Sequence, residues 1–261
     1  MAMEDKTRDS ALKSRARELA RLLKGARRIA VLTGAGMSTE SGIPDFRSPG
    51  GLYETVGEEI FQRETFLARP EQFWRAIGPF YQSVLQAKPN PGHLFLAVLE
   101  KAPWKKEICV ATQNIDVLHQ KAGSQNVCTL HGTMERLQCP RCAFQGDSLP
   151  FLPVMEKGEA PRCPQCGAIL KPAIVFFGED LPQEDFARAT RAFQQGDLAL
   201  VLGTSLQVTP ASWLPAQRPR HSPPGDSQQG GNLDGRGGHS GSPRLRRLPS
   251  LFLPQRDGII L

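Results

Sequence analysis

The sequence predicts an α/β protein in which a parallel sheet is covered by helices on both faces. Three observations carry that prediction. Short apolar runs at residues 28–32, 107–112, 126–130, 173–177 and 198–202 alternate with segments of helical character. Polar or glycine-rich motifs follow the runs: Gly34 onward, Gln113 onward, His131, Gly178, and Gly203-Thr204-Ser205. Ligands of such sheets bind beyond the carboxyl ends of the strands, so the motifs read as parts of one site. Two C-x-x-C pairs interrupt the alternation between the third and fourth runs and mark a small insert.

The first element is a helix over residues 10–24, with Leu12, Ala16, Leu19, Ala20 and Leu23 on one face. Ser10 is the expected N-cap and Gly25 the stop. The strand at 28–32 then runs into T-G-A-G-M-S-T-E-S-G-I-P-D-F-R, residues 33–47. Small residues after a buried strand let the backbone approach a phosphate, and the amides opening the next helix point at the anion. A Gly-x-Gly pair also serves tight turns for steric reasons alone. The polar set Ser38, Ser41, Asp45 and Arg47 goes further, because core packing has no use for so many hydrogen-bonding groups in one loop.

Residues 53–100 read as helix-rich, with Phe61, Phe66, Phe73, Trp74, Phe80 and Tyr81 forming a packed layer. Pro89-Asn90-Pro91-Gly92 breaks it, and a helix resumes at 93–100. From Trp213 the character changes: the last 49 residues hold seven Pro and eight Gly, too few apolar groups to offset chain entropy. Disorder is expected there, and a sheet left incomplete on its C-terminal side.

At 261 residues the chain suits one large domain with a small insert, and 39% hydrophobic content supports a real core. No apolar run approaches the ~20 residues that span a bilayer. The basic N-terminus carries Glu4, Asp5 and Asp9 and lacks an apolar stretch, which argues against a targeting signal; the expected location is cytoplasmic. Net charge is +6, but the last 49 residues have seven Arg against three Asp, so the basic excess belongs largely to the tail. It therefore says little about what the folded part binds.

The pairs Cys139/Cys142 and Cys163/Cys166, twenty residues apart, have zinc-ribbon spacing. Four thiolates aimed at one tetrahedral ion leave no open position, so this zinc is structural. Cys109 and Cys128 read as buried small hydrophobes. His131, beside Gly132 at a strand end, is either a satisfied structural histidine or a general base of near-neutral pKa. Gln113-Asn114-Ile115-Asp116 is either a helix cap or a set of amides and a carboxylate holding a sugar or carboxamide. Residues 174–179 (I-V-F-F-G-E) are either plain core strand or a backbone edge that pairs with an extended peptide. Gly203-Thr204-Ser205 repeats the small-residue turn and suits a phosphate or ribose.

In this order, G-A-G-x-S, G-I-P-D-F-R, Q-N-I-D, H-G, two C-x-x-C pairs, V-F-F-G-E and G-T-S, the blocks resemble the sirtuins, the NAD-dependent protein deacylases, over roughly residues 12–212. The resemblance implies a Rossmann-like domain (10–134 and 172–212), a zinc-ribbon insert (135–171) and a non-homologous tail (213–261). It implies one zinc ion, and NAD and an acyl-lysine peptide in the cleft between the domains, with no membrane or nucleic-acid partner. Gly34, Ala35, Gly36, Thr39, Asp45, Phe46 and Arg47 are implied to line the NAD pocket, with Gly203, Thr204 and Ser205. Gln113, Asn114 and Asp116 are implied to hold nicotinamide and its ribose, His131 to be the general base, and Val175, Phe176, Phe177 and Gly178 to pair with the substrate backbone. The products implied are free lysine, nicotinamide and O-acyl-ADP-ribose.

Members specific for acidic acyl groups carry Tyr-x-x-Arg a fixed distance before P-N-x-G-H. Ile77 and Phe80 stand at those positions, so a neutral acyl group such as acetyl is expected. Because nothing in 213–261 resembles the family, weak or absent turnover, with function through binding, is the second reading. Mono-ADP-ribosyl transfer is a third, and nucleic-acid binding through residues 244–247 (R-L-R-R) a fourth.

Overall fold

The computed structural model describes residues 2–101 and 103–217. Its central sheet has strand order β3-β2-β1-β7 among the described residues, built from β1 (Arg28–Thr33), β2 (Glu107–Thr112), β3 (Val127–Thr129) and β7 (Leu198–Leu202). All three pairings are parallel, and β1 and β2 run in full register from Arg28 opposite Glu107 to Thr33 opposite Thr112.

Strand alternation assigns each residue to a face. Ile29, Val31, Ile108, Val110 and Leu202 meet Leu23 of α1 (Ala2–Gly25) and Leu96 and Leu99 of α5 (Pro91–Leu99). Ala30, Leu32, Cys109, Ala111 and Cys128 meet Ala189 and Phe193 of α8 (Gln183–Gln195) on the other face. The small residues Ala30, Cys109, Ala111 and Cys128 let α8 lie close. The sandwich follows from two-sided burial, as parallel sheets require.

Between β1 and β2 lie α2 (Leu52–Val56), α3 (Arg63–Ala68), α4 (Pro70–Gln86) and α5. Asn90 begins α5: its Oδ1 accepts from Gly92 N and His93 N, and Pro91 fills the first helical position, where no amide partner is needed. The short α6 (Leu118–Ala122) joins β2 to β3.

After β3 the chain forms a second, antiparallel sheet of order β5-β4-β6, made of β4 (Gly132–Gln138), β5 (Gln145–Asp147) and β6 (Lys171–Ile174), with α7 (Leu152–Met155) beside it. An aromatic cluster joins this sheet to α3 and α4: Phe61, Phe66, Phe73, Trp74 and Phe176 pack edge-to-face among themselves and share a core with Leu137, Met155 and Ile174. Trp74 Nε1 donates to Leu170 C=O at 2.9 Å, tying α4 to the segment that follows the cysteines.

Three sequence expectations change. The helix expected to start at Ser10 begins at Ala2, so Ser10 is interior to it. The apolar run at 173–177 is not a strand of the parallel sheet: β6 ends at Ile174 and pairs antiparallel with β4, because it leaves the metal-binding insert rather than a helical crossover. The disorder expected from 213 does not hold for 213–217. A three-ten helix, Ala211–Gln217, packs Ala211 and Leu214 into the α8 side of the core, where Leu214 is buried. Residues 218–261, including 244–247, lie outside the described residues. No helix among the described residues is long and apolar enough to cross a membrane.

Candidate active site and metal centre

The carboxyl ends of β1, β2 and β7 bring the glycine turn, the Q-N-I-D segment and the G-T-S turn together. Asn114 Nδ2 donates to Gly34 C=O at 3.0 Å and to Ser38 Oγ at 3.1 Å. Ser38 Oγ donates to Asp116 Oδ2 at 2.6 Å, while Asp116 Oδ1 accepts from Leu118 N and starts α6. One carboxylate oxygen of Asp116 thus supports the start of α6 and the other holds Ser38. Asn114 and Asp116 are both buried.

His131 is half-buried and held against Gln113. Its Nδ1 lies 3.0 Å from Gln113 C=O. A carbonyl only accepts, so Nδ1 carries the proton and Nε2 the lone pair. Burial lowers the imidazole pKa, and the Gln113 carbonyl partly offsets that. The ring is therefore neutral with a basic Nε2 at neutral pH. The Gln113 side chain reaches the other way, its Nε2 donating to Thr204 Oγ1 at 2.9 Å.

The glycines have no room for a side chain. A Cβ on Gly34 would stand 2.6 Å from Thr204 Cβ and 2.8 Å from Gly203 C=O. Gly203, at φ +61, would push a Cβ to 2.1 Å from Met37 N. The turn differs from expectation in one respect: it opens short three-ten helices, Ala35–Met37 and Thr39–Ser41, not an α-helix. Gly36 N–H is bonded to Gly203 C=O, and Thr39 Oγ1 caps Gly36 C=O. Ala35 N–H is left without a hydrogen bond among the described residues.

Asp45, Phe46 and Arg47 organise their own loop. Asp45 accepts from Ser48 N and Oγ; Phe46 stacks on Tyr53 and Phe61; Arg47 pairs with Glu58 at 3.1 Å and lies over the Tyr53 ring. Ser205 stays exposed at the edge.

Sequence reasoning missed a layer beneath the crevice. Thr33 and Thr112, the last residues of β1 and β2, bond through their hydroxyls at 2.8 Å, and Thr112 Oγ1 accepts from Asn114 N. His119 Nε2 lies 3.0 Å from Thr33 Oγ1, and its ring sits 4.7 Å from that of His93. Burial pushes the His119 pKa down to about 3, with His93 adding to the effect, and burial lowers His93 as well. The available signal was register: two threonines closing adjacent strands share a rung.

The segment 175–178 leaves β6 beside His131. Val175 N donates to His131 C=O at 2.9 Å, and Phe177 is bonded on both sides, its N to Phe61 C=O and its C=O to Arg63 N. Val175 C=O and Gly178 N–H have no such partner among the described residues. Phe176 turns its ring into the aromatic cluster. Gly178 (φ +89) lines a cavity of about 540 Å³ with Arg63, Gly132, Val175 and Glu179.

At the far end of the small sheet the sulfurs of Cys139, Cys142, Cys163 and Cys166 all lie within 4.8 Å of one another, with Cys139–Cys166 at 3.4 Å and Cys142–Cys163 at 3.6 Å. Zn–S bonds of about 2.3 Å set tetrahedral S–S edges near ~3.8 Å, so the donor set fits one zinc ion. Two knuckles shape it, closed by Cys139 N to Phe144 C=O and Cys163 N to Ala168 C=O, with Gly167 at φ +72 in the second.

The strand ends fit a dinucleotide such as NAD. A cradle that any Cβ would fill, a buried amide–carboxylate pair and a buried Ser41 hydroxyl without a partner suit a polar ligand lying along the glycine turn.

Residues 34–210 match the model of the Sir2 family. An NAD-dependent protein deacetylase of Thermotoga maritima is 42% identical over 199 residues, 76% of this chain and 80% of that protein. One of Chromobacterium violaceum is 44% identical over 220 residues, covering 81% and 85%. Among solved structures, Sir2 bound to an acetylated peptide superposes with a TM-score of 0.68 at 40% identity, covering 77% of this chain and 80% of that one. A Sir2–p53 peptide–NAD+ complex superposes with a TM-score of 0.67 at 41% identity and the same coverage. The strand-end network, the four-sulfur cluster and these likenesses agree, and the chain belongs to the Sir2 family.

Proposed function

We propose that this chain is an NAD-dependent protein-lysine deacetylase, giving nicotinamide, O-acetyl-ADP-ribose and free lysine. The observation that carries the reading is the continuous hydrogen-bonded path from Gly34 through Asn114 and Ser38 to Asp116, with His131 fixed on the neighbouring Gln113. NAD, when bound, supplies the ribose carbon from which nicotinamide departs and the hydroxyls that take over the acyl group.

The protein's own part is binding, orientation and one proton. Gly34, Ala35, Gly36 and Thr39 of the first turn and Gly203, Thr204 and Ser205 of the second form the small-residue bed for the dinucleotide, Ala35 N–H being the open donor. Asp45, Phe46 and Arg47 close over it from their loop. Gln113, Asn114 and Asp116 hold the nicotinamide and its ribose. His131 accepts a proton at Nε2, and its neutral state is kept by burial. Val175, Phe176, Phe177 and Gly178 hold the acyl-lysine peptide, through the Val175 C=O and Gly178 N–H. Cys139, Cys142, Cys163 and Cys166 bind the structural zinc.

Ile77 is buried in the aromatic cluster and Phe80 is half-buried, so neither position offers a cation or phenol to an acidic acyl group. Acetyl-lysine is the favoured substrate. We assign 10–134 and 172–212 to the NAD-binding unit and 135–171 to the zinc unit, with β4, β6 and the 211–217 helix crossing those boundaries by a few residues. A cytoplasmic location fits a chain that uses its cysteines as thiolates.

Incubation with NAD and acetyl- and succinyl-lysine peptides tests the reading. Equimolar nicotinamide and O-acetyl-ADP-ribose are expected from the acetyl peptide. No release at saturating NAD, or a preference for the succinyl peptide, overturns it.

A further inference from the structure

Lys171 is only 5% exposed, unusual for an ammonium group. All its partners belong to one short stretch of chain. Nζ lies 2.9 Å from Glu179 Oε2, donates to Ile174 C=O at 2.6 Å, reaches Pro172 C=O at 3.4 Å and sits 4.3 Å from the centre of the Phe176 ring. Glu179 returns to the same stretch: its Oε2 accepts from Phe176 N at 2.9 Å and its N donates to Phe176 C=O at 3.0 Å.

The pair thus grips both ends of residues 174–179, and Val175 N binds His131 C=O on the opposite side. Neither Lys171 nor Glu179 has a part in the chemistry above. Stability alone does not explain them, since well-packed apolar residues replace buried ion pairs with little or no loss. What a buried pair adds is a single register.

We propose that Lys171 and Glu179 are positioning residues for the acyl-lysine peptide: they fix segment 174–178 in one register beside His131, so that substrate backbone and general base are set by the same piece of chain. This rests on the deacetylase reading. It places substrate recognition under the control of a strand that emerges directly from the zinc knuckles, through Leu170 and Lys171.

The test uses the full-length, zinc-loaded protein and the variants K171M, E179Q and K171R. Steady-state rates are measured against acetyl-lysine peptide and NAD separately. Amide hydrogen exchange is read by mass spectrometry without ligands. In K171M and E179Q the peptide KM is expected to rise on the order of tenfold, with kcat and the NAD KM changed less than about twofold. Amides of 174–179 should exchange about tenfold faster, while β1, β2 and zinc content stay as in wild type. K171R keeps the cation and restores the peptide KM to within about threefold.

Unchanged exchange at 174–179, or an NAD KM rising in step with the peptide KM, overturns the proposal. E179Q keeps an oxygen for Phe176 N–H and decides the matter if K171M does not fold. If the wild type deacetylates nothing, the functional reading fails; exchange at 174–179 then still upholds the clamp where it accelerates in the variants and overturns it where it does not.

Discussion

At the strand ends of the parallel sheet, Thr33, Ser38, Thr112, Asn114 and His119 are joined by hydrogen bonds between neutral groups, with Asp116 as the buried carboxylate. In the antiparallel sheet, four cysteines and an aromatic cluster hold the chain, with the Lys171–Glu179 pair where β6 ends. The first region is a polar network whose upper members, Ser38, Asn114 and Asp116, border the glycine turn proposed to hold the ligand; the second is built so that a short, loop-rich segment has a core at all. Damage to the first should therefore be seen in kinetics before stability, and damage to the second in the reverse order.

The largest effect is expected in the second region. C163S removes a buried sulfur of the four-cysteine cluster proposed to hold zinc. Structural zinc contributes about 10–16 kcal/mol in isolated zinc-finger peptides. Stoichiometric zinc and the cooperative melt of the small sheet should both be lost. Metal analysis and near-ultraviolet circular dichroism check this, and a variant that keeps its zinc removes the contrast.

H131A comes next and should behave oppositely. Loss of a general base lowers kcat by roughly 10²–10⁴-fold. The melting temperature should stay close to that of wild type, since the ring makes a single hydrogen bond to Gln113. A variant that loses kcat and melting temperature together would make His131 structural.

G34A introduces a Cβ 2.6 Å from Thr204 Cβ, against backbone that cannot yield cheaply. A cost of about 1–3 kcal/mol is expected, shared between stability and NAD affinity. Calorimetric titration with NAD measures it, and unchanged affinity would take the glycine turn out of the binding bed.

The buried histidines set the acid limb. His93, His119 and His131 all have lowered pKa values in the folded state, His119 falling to about 3. The unfolded chain therefore binds more protons as pH falls below about 6.5, and stability drops by up to about 1.4 kcal/mol per pH unit for each histidine. The His119 share ends only near pH 3. Urea midpoints between pH 7 and pH 5 should fall, and H119L should flatten the slope; an unchanged slope in H119L refutes the assignment.

The smallest effect belongs to neither network. Arg47 and Glu58 pair at 3.1 Å with side chains 38% and 50% exposed. E58Q should shift stability by less than about 1 kcal/mol, read from a denaturant midpoint.

What was legible in the sequence were features with local chemistry. The cysteine spacing gathers four sulfurs, and the glycine turn, Q-N-I-D and His131, each following a strand, are joined by hydrogen bonds at the strand ends. What was not legible depended on partners far along the chain. Thr33 and His119 are 86 positions apart and Thr33 and Thr112 are 79 apart, so no periodicity links them. Lys171 looks like a surface lysine until the insert folds back and buries it. The run at 173–177 has the apolar content of a central strand, and composition does not tell which sheet it will join. Leu214 reads as the start of a polar tail, yet it closes the face on which α8 lies.

Gln113 faces both ways, its main chain orienting the imidazole and its amide tied to Thr204, two residues past β7. Strand β7 is also one of the two edge strands of the parallel sheet among the described residues. Thr204 is linked to the His131 ring through two hydrogen bonds, both made by Gln113. A displacement of that margin is relayed by a single residue to the nitrogen that fixes how the imidazole is turned.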